Sequence, residues 1–267
     1  TIIKGIPAGG HATRTLVFDD QGRLYVSVGS AGNVDADSSR ARICRFDLSN
    51  VPEGGLAFSS GEVFADGLRN EVGLAFDAAG VLWGVQNGMD EIHRDDLGGD
   101  IHDDNPAEIL SRFDRAGAFH GYPYCWAEFL LPEGVGGGPG TMWAHESTID
   151  DGTHSDAWCQ NTTNVQPPAL AMQAHSAPLD LEFYDGASFP EGYHGDLFVT
   201  FHGSSMSIGI AKVPRRCTVS CPGPRAKVYT TRVLPGRSWL ARSSRVCCFC
   251  SAVSAVLAST MPTVVPR

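Results

Sequence analysis

The chain of 267 residues is long enough for one large all-β domain and carries a formal net charge of −10. The charge is divided unevenly: residues 214–267 hold nine Lys or Arg and no Asp or Glu, which leaves 11 basic and 30 acidic residues, a net charge of −19, in residues 1–213. That acidic surface argues against a nucleic-acid partner, since phosphates require a basic footprint. No run of 18 apolar residues is present, so no membrane-spanning segment is expected.

A two-strand unit recurs three times along the first 203 residues. In each copy a polar segment precedes a short apolar strand, and a second strand follows a turn and ends at another polar segment. The copies comprise residues 11–19 with 22–30, residues 67–77 with 80–90, and residues 175–184 with 195–203. One such unit cannot bury both of its faces alone, so the repeats predict an all-β fold of blades around a central channel, the β-propeller.

Polar residues occur at corresponding strand ends in the three copies, where a propeller would bring them to one channel. Alone, each of them has a simpler explanation: a solvated turn, a turn-capping pair or a surface hairpin. Their equivalent positions favour one shared pocket. The candidates are His11, Arg14, Arg69, Asn70, Asn87, His175 and His202.

The turn Asn87-Gly88-Met89 is a candidate cation site. Gly88 permits a backbone in which successive carbonyl groups point the same way, and Ca²⁺ accepts backbone carbonyl ligands. Alternatively, the following Asp90 and Glu91 bind a structural ion or face water.

The cysteines divide into two groups. Cys125 and Cys159 flank a Gly-rich excursion and could form a disulfide in an oxidising compartment, with which the sequon at Asn161 agrees. The run Cys247-Cys248-Phe249-Cys250 lies in the basic C-terminal segment and lacks the spacing and His partners of a zinc site. It is expected to belong to a non-native or unpacked C-terminus rather than to a metal or redox cluster.

Six motifs in order resemble those of the pyrroloquinoline quinone (PQQ)-dependent sugar dehydrogenases, in particular the pyranose and L-sorbosone dehydrogenase branch. They extend over about residues 4–213. Residues 1–213 are identified as a partial propeller, and residues 214–267 as a divergent, basic, Cys-rich C-terminal segment outside it. The motifs are residues 10–16, 67–76, 97–102, 121–126, 173–179 and 201–204.

The resemblance implies a role for each candidate. His11 matches the base that takes the sugar hydroxyl proton while hydride passes to the quinone. Arg69, Asn70 and Asn87 match cofactor contacts, and the backbone oxygens of Gly88 and Met89 match the ligands of Ca²⁺. The remaining pair, His175 and His202, match the far side of the pocket.

The resemblance also implies a six-bladed propeller that begins about two blades before Thr1 and ends at least one blade after Val213. About three to four blades are therefore expected here, and we expect the chain alone to bind PQQ poorly or not at all. The family's His-Gly-Ser-Trp-Asn-Arg run reads His202-Gly203-Ser204-Ser205-Met206-Ser207, so the later basic cofactor contacts are not found.

The function implied is a PQQ- and Ca²⁺-dependent oxidation of an aldose, pyranose or sorbosone-like sugar. Electrons would pass to an external quinone, dye or cytochrome. A secreted or periplasmic location is expected, although no signal peptide is visible in this chain. Two alternatives remain open: a Ca²⁺-dependent propeller lactonase, and a non-catalytic propeller that binds sugars or proteins.

Overall fold

The computed structural model describes residues 1–203 and the backbone of three further strands at residues 217–219, 226–234 and 237–239. The cysteine run 247–250 and the departure at residues 205–207 lie outside the described residues. Most of the predicted second segment, 214–267, does as well, and the domain boundary after residue 213 stays a prediction.

Strands dominate the described chain, with one short α-helix and four single turns of 3₁₀ helix. The all-β prediction is confirmed. The elements are β1 (Ile3–Lys4), β2 (Leu16–Phe18), β3 (Leu24–Val28), β4 (Arg42–Phe46), β5 (Leu56–Ala57), β6 (Glu62–Asp66), β7 (Glu71–Phe76), β8 (Leu82–Gln86), β9 (His93–Arg94), β10 (Gly99–Asp100), β11 (Glu108–Phe113), β12 (Ala118–Phe119), β13 (Cys125–Ala127), β14 (Met142–Ala144), α1 (Asp156–Gln160), β15 (Leu170–Met172), β16 (Pro178–Phe183), β17 (Leu197–Phe201), β18 (Cys217–Val219), β19 (Ala226–Leu234) and β20 (Arg237–Trp239).

The strands form blade sheets in which consecutive strands are neighbours. The first blade has the order β2-β3-β4-β6, with β12 added in parallel at its edge, and the second has the order β7-β8-β11-β15. The third begins with the antiparallel pair β16-β17, after which β19 pairs in parallel with β17. The three predicted two-strand units are the hairpins β2-β3, β7-β8 and β16-β17. The propeller-type prediction is confirmed by these blades.

Apolar side chains fill the space between successive blades. Strands buried on both faces, such as β3 and β8, read as continuous apolar runs because each face packs against a neighbouring sheet. One cluster joins the first two blades and includes Tyr25, Ile43 and Leu82. A second joins the second and third blades and includes Trp83, Leu181 and Val199. The stacking of blades therefore supplies the core that one blade lacks.

A long excursion between β11 and β15 contains the hairpin β13-β14 and the helix α1. The helix begins where the Ser155 side chain accepts a hydrogen bond from the backbone N–H of Trp158, a typical N-cap. Cys125 on β13 and Cys159 on α1 form a disulfide with a Cα–Cα distance of 5.8 Å. The disulfide prediction is confirmed, and the other cysteine of residues 1–203, Cys44, is a buried free thiol. Within the part of the chain that the structure describes, no helix is long and apolar enough to cross a membrane.

The face of the second blade that packs on the first contains polar side chains at its inner end. Glu71 is buried, and neither of its carboxylate oxygens has a hydrogen-bond partner among the described residues. Its Oε1 lies over Gly84, where a Cβ atom would be only 2.0 Å away. Burial raises the pKa of Glu71 well above its usual value, so this carboxyl group keeps its proton to higher pH than an exposed one.

Because the native state binds the Glu71 proton more tightly than the unfolded chain, the free energy of unfolding should fall as pH rises from about 4.5 to the raised native pKa. Glu71→Gln should remove this pH dependence of the unfolding free energy. The change amounts to about 1.4 kcal/mol for each unit by which the native pKa exceeds the unfolded one. Urea denaturation at about pH 5 and about pH 8 measures it. Glu62→Gln, at a half-exposed site on β6, is the control and should keep the wild-type slope. An unchanged slope in the Glu71 variant would show that the group ionises normally.

Removing the disulfide should destabilise the chain by roughly 3–4 kcal/mol, because the bond closes a loop of more than 30 residues in the unfolded state. The double variant Cys125→Ala/Cys159→Ala, compared with the wild type by urea denaturation, measures this loss. Wild-type protein unfolded with a reductant should match the double variant, and a wild type insensitive to the reductant would contradict the prediction.

Candidate functional site

Backbone hydrogen bonds close the second and third hairpins at their ends, and one joins the end of the first hairpin to the second. Ser30, after β3, donates its N–H to the carbonyl of Arg69 at 2.8 Å, and Asn87, after β8, donates to the carbonyl of Asn70 at 3.1 Å. His202, after β17, donates to the carbonyl of Ala177 at 2.9 Å. Most of the predicted site residues therefore lie on one connected set of loops.

His11 is half-buried and has a defined tautomer. Its Nδ1 lies 3.0 Å from the carbonyl oxygen of Ser30 and 2.9 Å from the Ser30 hydroxyl oxygen. That hydroxyl donates its own hydrogen to the carbonyl of Gly32, so both partners of Nδ1 are acceptors. Nδ1 therefore carries the ring hydrogen, and Nε2 holds the free lone pair of the neutral ring. Burial, followed by the positive charge of Arg69, lowers the pKa of His11.

Gly29 allows the side chains of His11 and Asn70 to lie close to each other over its own backbone. A Cβ atom at Gly29 would lie 2.6 Å from the Cβ of His11 and 2.7 Å from the Oδ1 of Asn70. The imidazole and the amide thus approach the same short stretch of backbone, which no larger residue at position 29 would permit. The neighbouring Arg14 donates to the carbonyls of Pro7 and His11 and so holds the loop rather than the pocket.

Arg69 is the central charge of the site and is 5 % exposed. Its Nε donates to the carbonyl of Asn33 at 3.2 Å, and its Nη2 reaches the Asn33 side chain at 3.1 Å and the Asp90 carboxylate at 3.2 Å. Its Nη1 donates to the carbonyl of Gly88. Asn33 and Asp90 were not predicted as partners of Arg69.

The second polar turn is tied to the third blade. The side-chain amide of Asn87 donates to the carbonyl of Pro178 at 2.8 Å. The N–H of Gly88 donates to Oε2 of Glu108 at 2.7 Å. The Met89 side chain is buried in an apolar cluster, so only its backbone is available to a ligand. Glu108, on β11, was missed because its strand reads as an ordinary apolar segment.

His175 has a backbone φ of +55° and a ring held from two sides. Its Nε2 lies 2.6 Å from the carbonyl of His102, and its Nδ1 lies 3.6 Å from Oδ1 of Asp90. The interaction with Asp90 raises the pKa of His175, in opposition to the effect of burial. His175 therefore tends to be positively charged at a pH where His11 is neutral.

The structure does not bring the His202 ring to the other candidates. The side chain is exposed, and its Nδ1 lies 3.0 Å from the adjacent carbonyl of Gly203. Only its backbone N–H, bonded to Ala177, links it to the site.

The arrangement fits an anionic ligand better than a lone cation. Arg69 and His175 have positive character, whereas the cavity beside Arg69 and Gly88 has a volume of only about 20 Å³. A cation on the Gly88 carbonyl would meet the guanidinium already bonded there, so Ca²⁺ fits only when Arg69 turns to another acceptor. Among the described residues, no group of three or more His, Cys, Asp or Glu could hold a metal.

Comparison with known proteins places this chain in a family. Residues 1–209 match the TrAA12-like family. Over 221 residues the chain is 32 % identical to a pyrroloquinoline quinone-dependent pyranose dehydrogenase of Coprinopsis cinerea, covering 76 % of this chain and 29 % of that protein. Over 230 residues it is 31 % identical to a pyrroloquinoline quinone-dependent sugar dehydrogenase of Hypocrea jecorina, covering 79 % of this chain and 50 % of that protein.

The fold is also similar to that of a solved structure. The calcium structure of the Trichoderma reesei enzyme of carbohydrate-active family AA12 superposes with a TM-score of 0.64 at 29 % identity, covering 76 % of this chain and 52 % of that one. The chain belongs to the TrAA12-like family, and its resemblance to PQQ-dependent sugar dehydrogenases is confirmed. It spans about half or less of the length of these relatives.

We expect the His11 ring to titrate below its ordinary pKa of 6.5. Arg69→Met should raise the pKa of His11 by removing the adjacent positive charge. Arg69→Lys keeps a positive charge there and should leave the pKa of His11 nearly as low as in the wild type. The Cε1–H signal of His11 in an NMR titration, assigned with His11→Gln, measures it. Equal His11 pKa values in the Met and Lys variants would show that the Arg69 charge does not reach the ring.

Proposed function

We propose that this chain carries part of the active site of a PQQ- and Ca²⁺-dependent oxidoreductase that oxidises a hydroxyl group of a pyranose or related sugar. The observation that carries the proposal is the neutral His11, with Nε2 free, beside Asn70 and the buried Arg69. The names of the two relatives, PQQ-dependent pyranose and sugar dehydrogenase, support the same chemistry.

His11 is the proposed base. Its Nδ1–H is occupied by Ser30, so Nε2 is the atom that takes the proton from the sugar hydroxyl. Burial and Arg69 lower the pKa of His11, which keeps the ring unprotonated and ready to accept at neutral pH. The bond to Ser30 orients the ring for this transfer and later stabilises the imidazolium.

Arg69, Asn70 and Asn87 are the proposed cofactor contacts. The guanidinium of Arg69 can bind a carboxylate bidentately, and it is already held in the pocket by Asn33. His175, with its raised pKa, adds a second positive charge for an anion, while its two ring nitrogens face the carbonyl of His102 and the carboxylate of Asp90. The role of His202 is weaker, since its ring is exposed.

The backbone oxygens of Gly88 and Met89 are the proposed ligands of Ca²⁺, after Arg69 has moved from Gly88 to the cofactor. When bound, PQQ would accept a hydride from the sugar carbon, and Ca²⁺ would polarise it as a Lewis acid. A quinone, dye or cytochrome would then take the electrons.

We also propose a secreted or periplasmic location. The disulfide between Cys125 and Cys159 is stable in an oxidising compartment, and the sequon residue Asn161 is exposed, as a glycosylated residue would have to be.

The test is a titration of the purified chain with PQQ, with and without Ca²⁺, followed by absorbance and by dye reduction with a panel of aldoses. We expect Ca²⁺-dependent PQQ binding, weaker than micromolar for this chain alone, and dye reduction that requires a sugar. His11→Gln should reduce the rate by about 10²–10⁴-fold and leave the Kd for PQQ nearly unchanged, because the base acts only in the transition state.

Three results would contradict the proposal. A folded chain that binds no PQQ with Ca²⁺ present agrees with the expected weak binding of this chain alone, so the titration is repeated on a longer version that supplies the expected further blades, and no binding there would reject the proposal. Hydrolysis of sugar lactones with Ca²⁺ alone would also reject it and would support the lactonase. Sugar binding that is unaffected by His11→Gln, without any dye reduction, would indicate a binding module. PQQ binding at micromolar affinity would support the dehydrogenase and refute the expected weakness of the isolated chain.

A further inference from the structure

Glu108 joins the two loops from which the cofactor pocket is built. Its side chain is 5 % exposed and lies at the start of β11, in the second blade. Its Oε2 accepts the N–H of Gly88, in the loop after β8, at 2.7 Å. Its Oε1 accepts the N–H of Ala177, in the loop before β16, at 3.2 Å. One carboxylate therefore spans the junction between the second and third blades.

The bond to Gly88 determines where the neighbouring carbonyl points. In a trans peptide the N–H and the preceding C=O face opposite directions, so the Glu108 bond turns the Asn87 carbonyl away from β11. That carbonyl lies 3.5 Å from Nη1 of Arg69, on the pocket side. The turn has little freedom to move elsewhere, since a Cβ at Gly88 would lie 2.9 Å from the carbonyl oxygen of Ala107.

The bond to Ala177 stabilises an uncommon backbone conformation. Ala177 has a φ of +48° and lies two residues after His175, whose φ is +55°. This loop therefore contains two non-glycine residues in the left-handed region. Such residues persist only where surrounding contacts hold them. Ala177 also accepts the backbone N–H of His202 through its carbonyl, so its position affects both histidines of the far side.

We propose that Glu108 is a positioning residue of the pocket: it orients the Asn87–Gly88 peptide and the loop at residues 175–177 in one mutual arrangement for the anionic cofactor. The role rests on the proposed function, since the ligand is the PQQ assigned to this site there. Glu108 acts through the two backbone groups and does not itself contact the ligand.

Glu128 offers a matched comparison within the same chain. It is also buried and accepts two backbone N–H groups, those of Gly137 and Gly138, at 2.9 and 3.0 Å. It holds a loop of the excursion between β11 and β15 and also accepts the indole N–H of Trp143 at 2.9 Å; these hydrogen bonds involve neither Gly88 nor Ala177. A merely structural role for Glu108 would make the two carboxylates behave alike.

The first experiment measures amide hydrogen exchange without any cofactor. Glu108→Gln leaves one oxygen acceptor and turns an NH₂ group toward the other N–H, so exchange at Gly88 or Ala177 or both should accelerate at least tenfold. Glu128→Gln should accelerate exchange at Gly137 and Gly138 and leave Gly88 and Ala177 unchanged. Wild-type exchange at both pocket amides in Glu108→Gln would overturn the proposal.

The second experiment is the PQQ titration in the presence of Ca²⁺. Glu108→Gln should raise the Kd for PQQ by at least tenfold, and Glu128→Gln should leave it unchanged even where the two variants lose equal stability in urea. Glu108→Asp, which keeps both acceptor oxygens, should recover part of the affinity. An equal loss in the Glu128 variant would overturn the proposal. If both this chain and the longer version with the expected further blades lack PQQ affinity, the proposed function is rejected, while the exchange experiment still decides whether Glu108 positions the two loops.

Discussion

The site depends on hydrogen bonds at the inner ends of the hairpins, some within one hairpin and some between neighbours. The bonds from Asn87 to Asn70 and from His202 to Ala177 close the second and third hairpins. The N–H of Ser30 on the carbonyl of Arg69 joins the first hairpin to the second, and the side-chain amide of Asn87 on the carbonyl of Pro178 joins the second to the third. They are possible because apolar packing between successive sheets brings β2, β7 and β16 side by side, and their N–H and C=O groups would otherwise be buried without partners. Core packing and site geometry are thus consequences of the same contact, and a loosened blade interface would displace the pocket before it unfolded the chain.

The hairpins were predictable from sequence because their information is local: an apolar strand, a glycine turn and a second apolar strand leave a readable pattern in about 20 residues. The same repeats predicted four candidate site residues: His11, Arg69, Asn70 and Asn87. Their partners were not predictable. Glu108 contacts Gly88 across 20 positions and Ala177 across 69, and His175 contacts His102 across 73. No local pattern indicates that a glutamate at the start of an apolar strand accepts hydrogen bonds from two distant backbone amides.

The candidate site places positive groups in a chain whose net charge is strongly negative. Arg69 is buried and the pKa of His175 is raised, although residues 1–213 carry a net charge of −19. Asp90 lies between them and interacts with both, at 3.2 Å from Arg69 and 3.6 Å from His175. The local partners of His175, rather than the net charge of the chain, set the direction of its pKa shift.

The hydrogen bond from Arg69 to the carbonyl of Gly88 has a thermodynamic consequence. A guanidinium and a divalent cation on the same carbonyl oxygen repel each other, so the proposed Ca²⁺ would bind more readily once Arg69 turns toward an anion. Under the proposed function the two ligands would favour each other's binding, and by linkage each would raise the affinity for the other by the same factor. The chain would then bind either ligand more weakly alone than in the presence of the other.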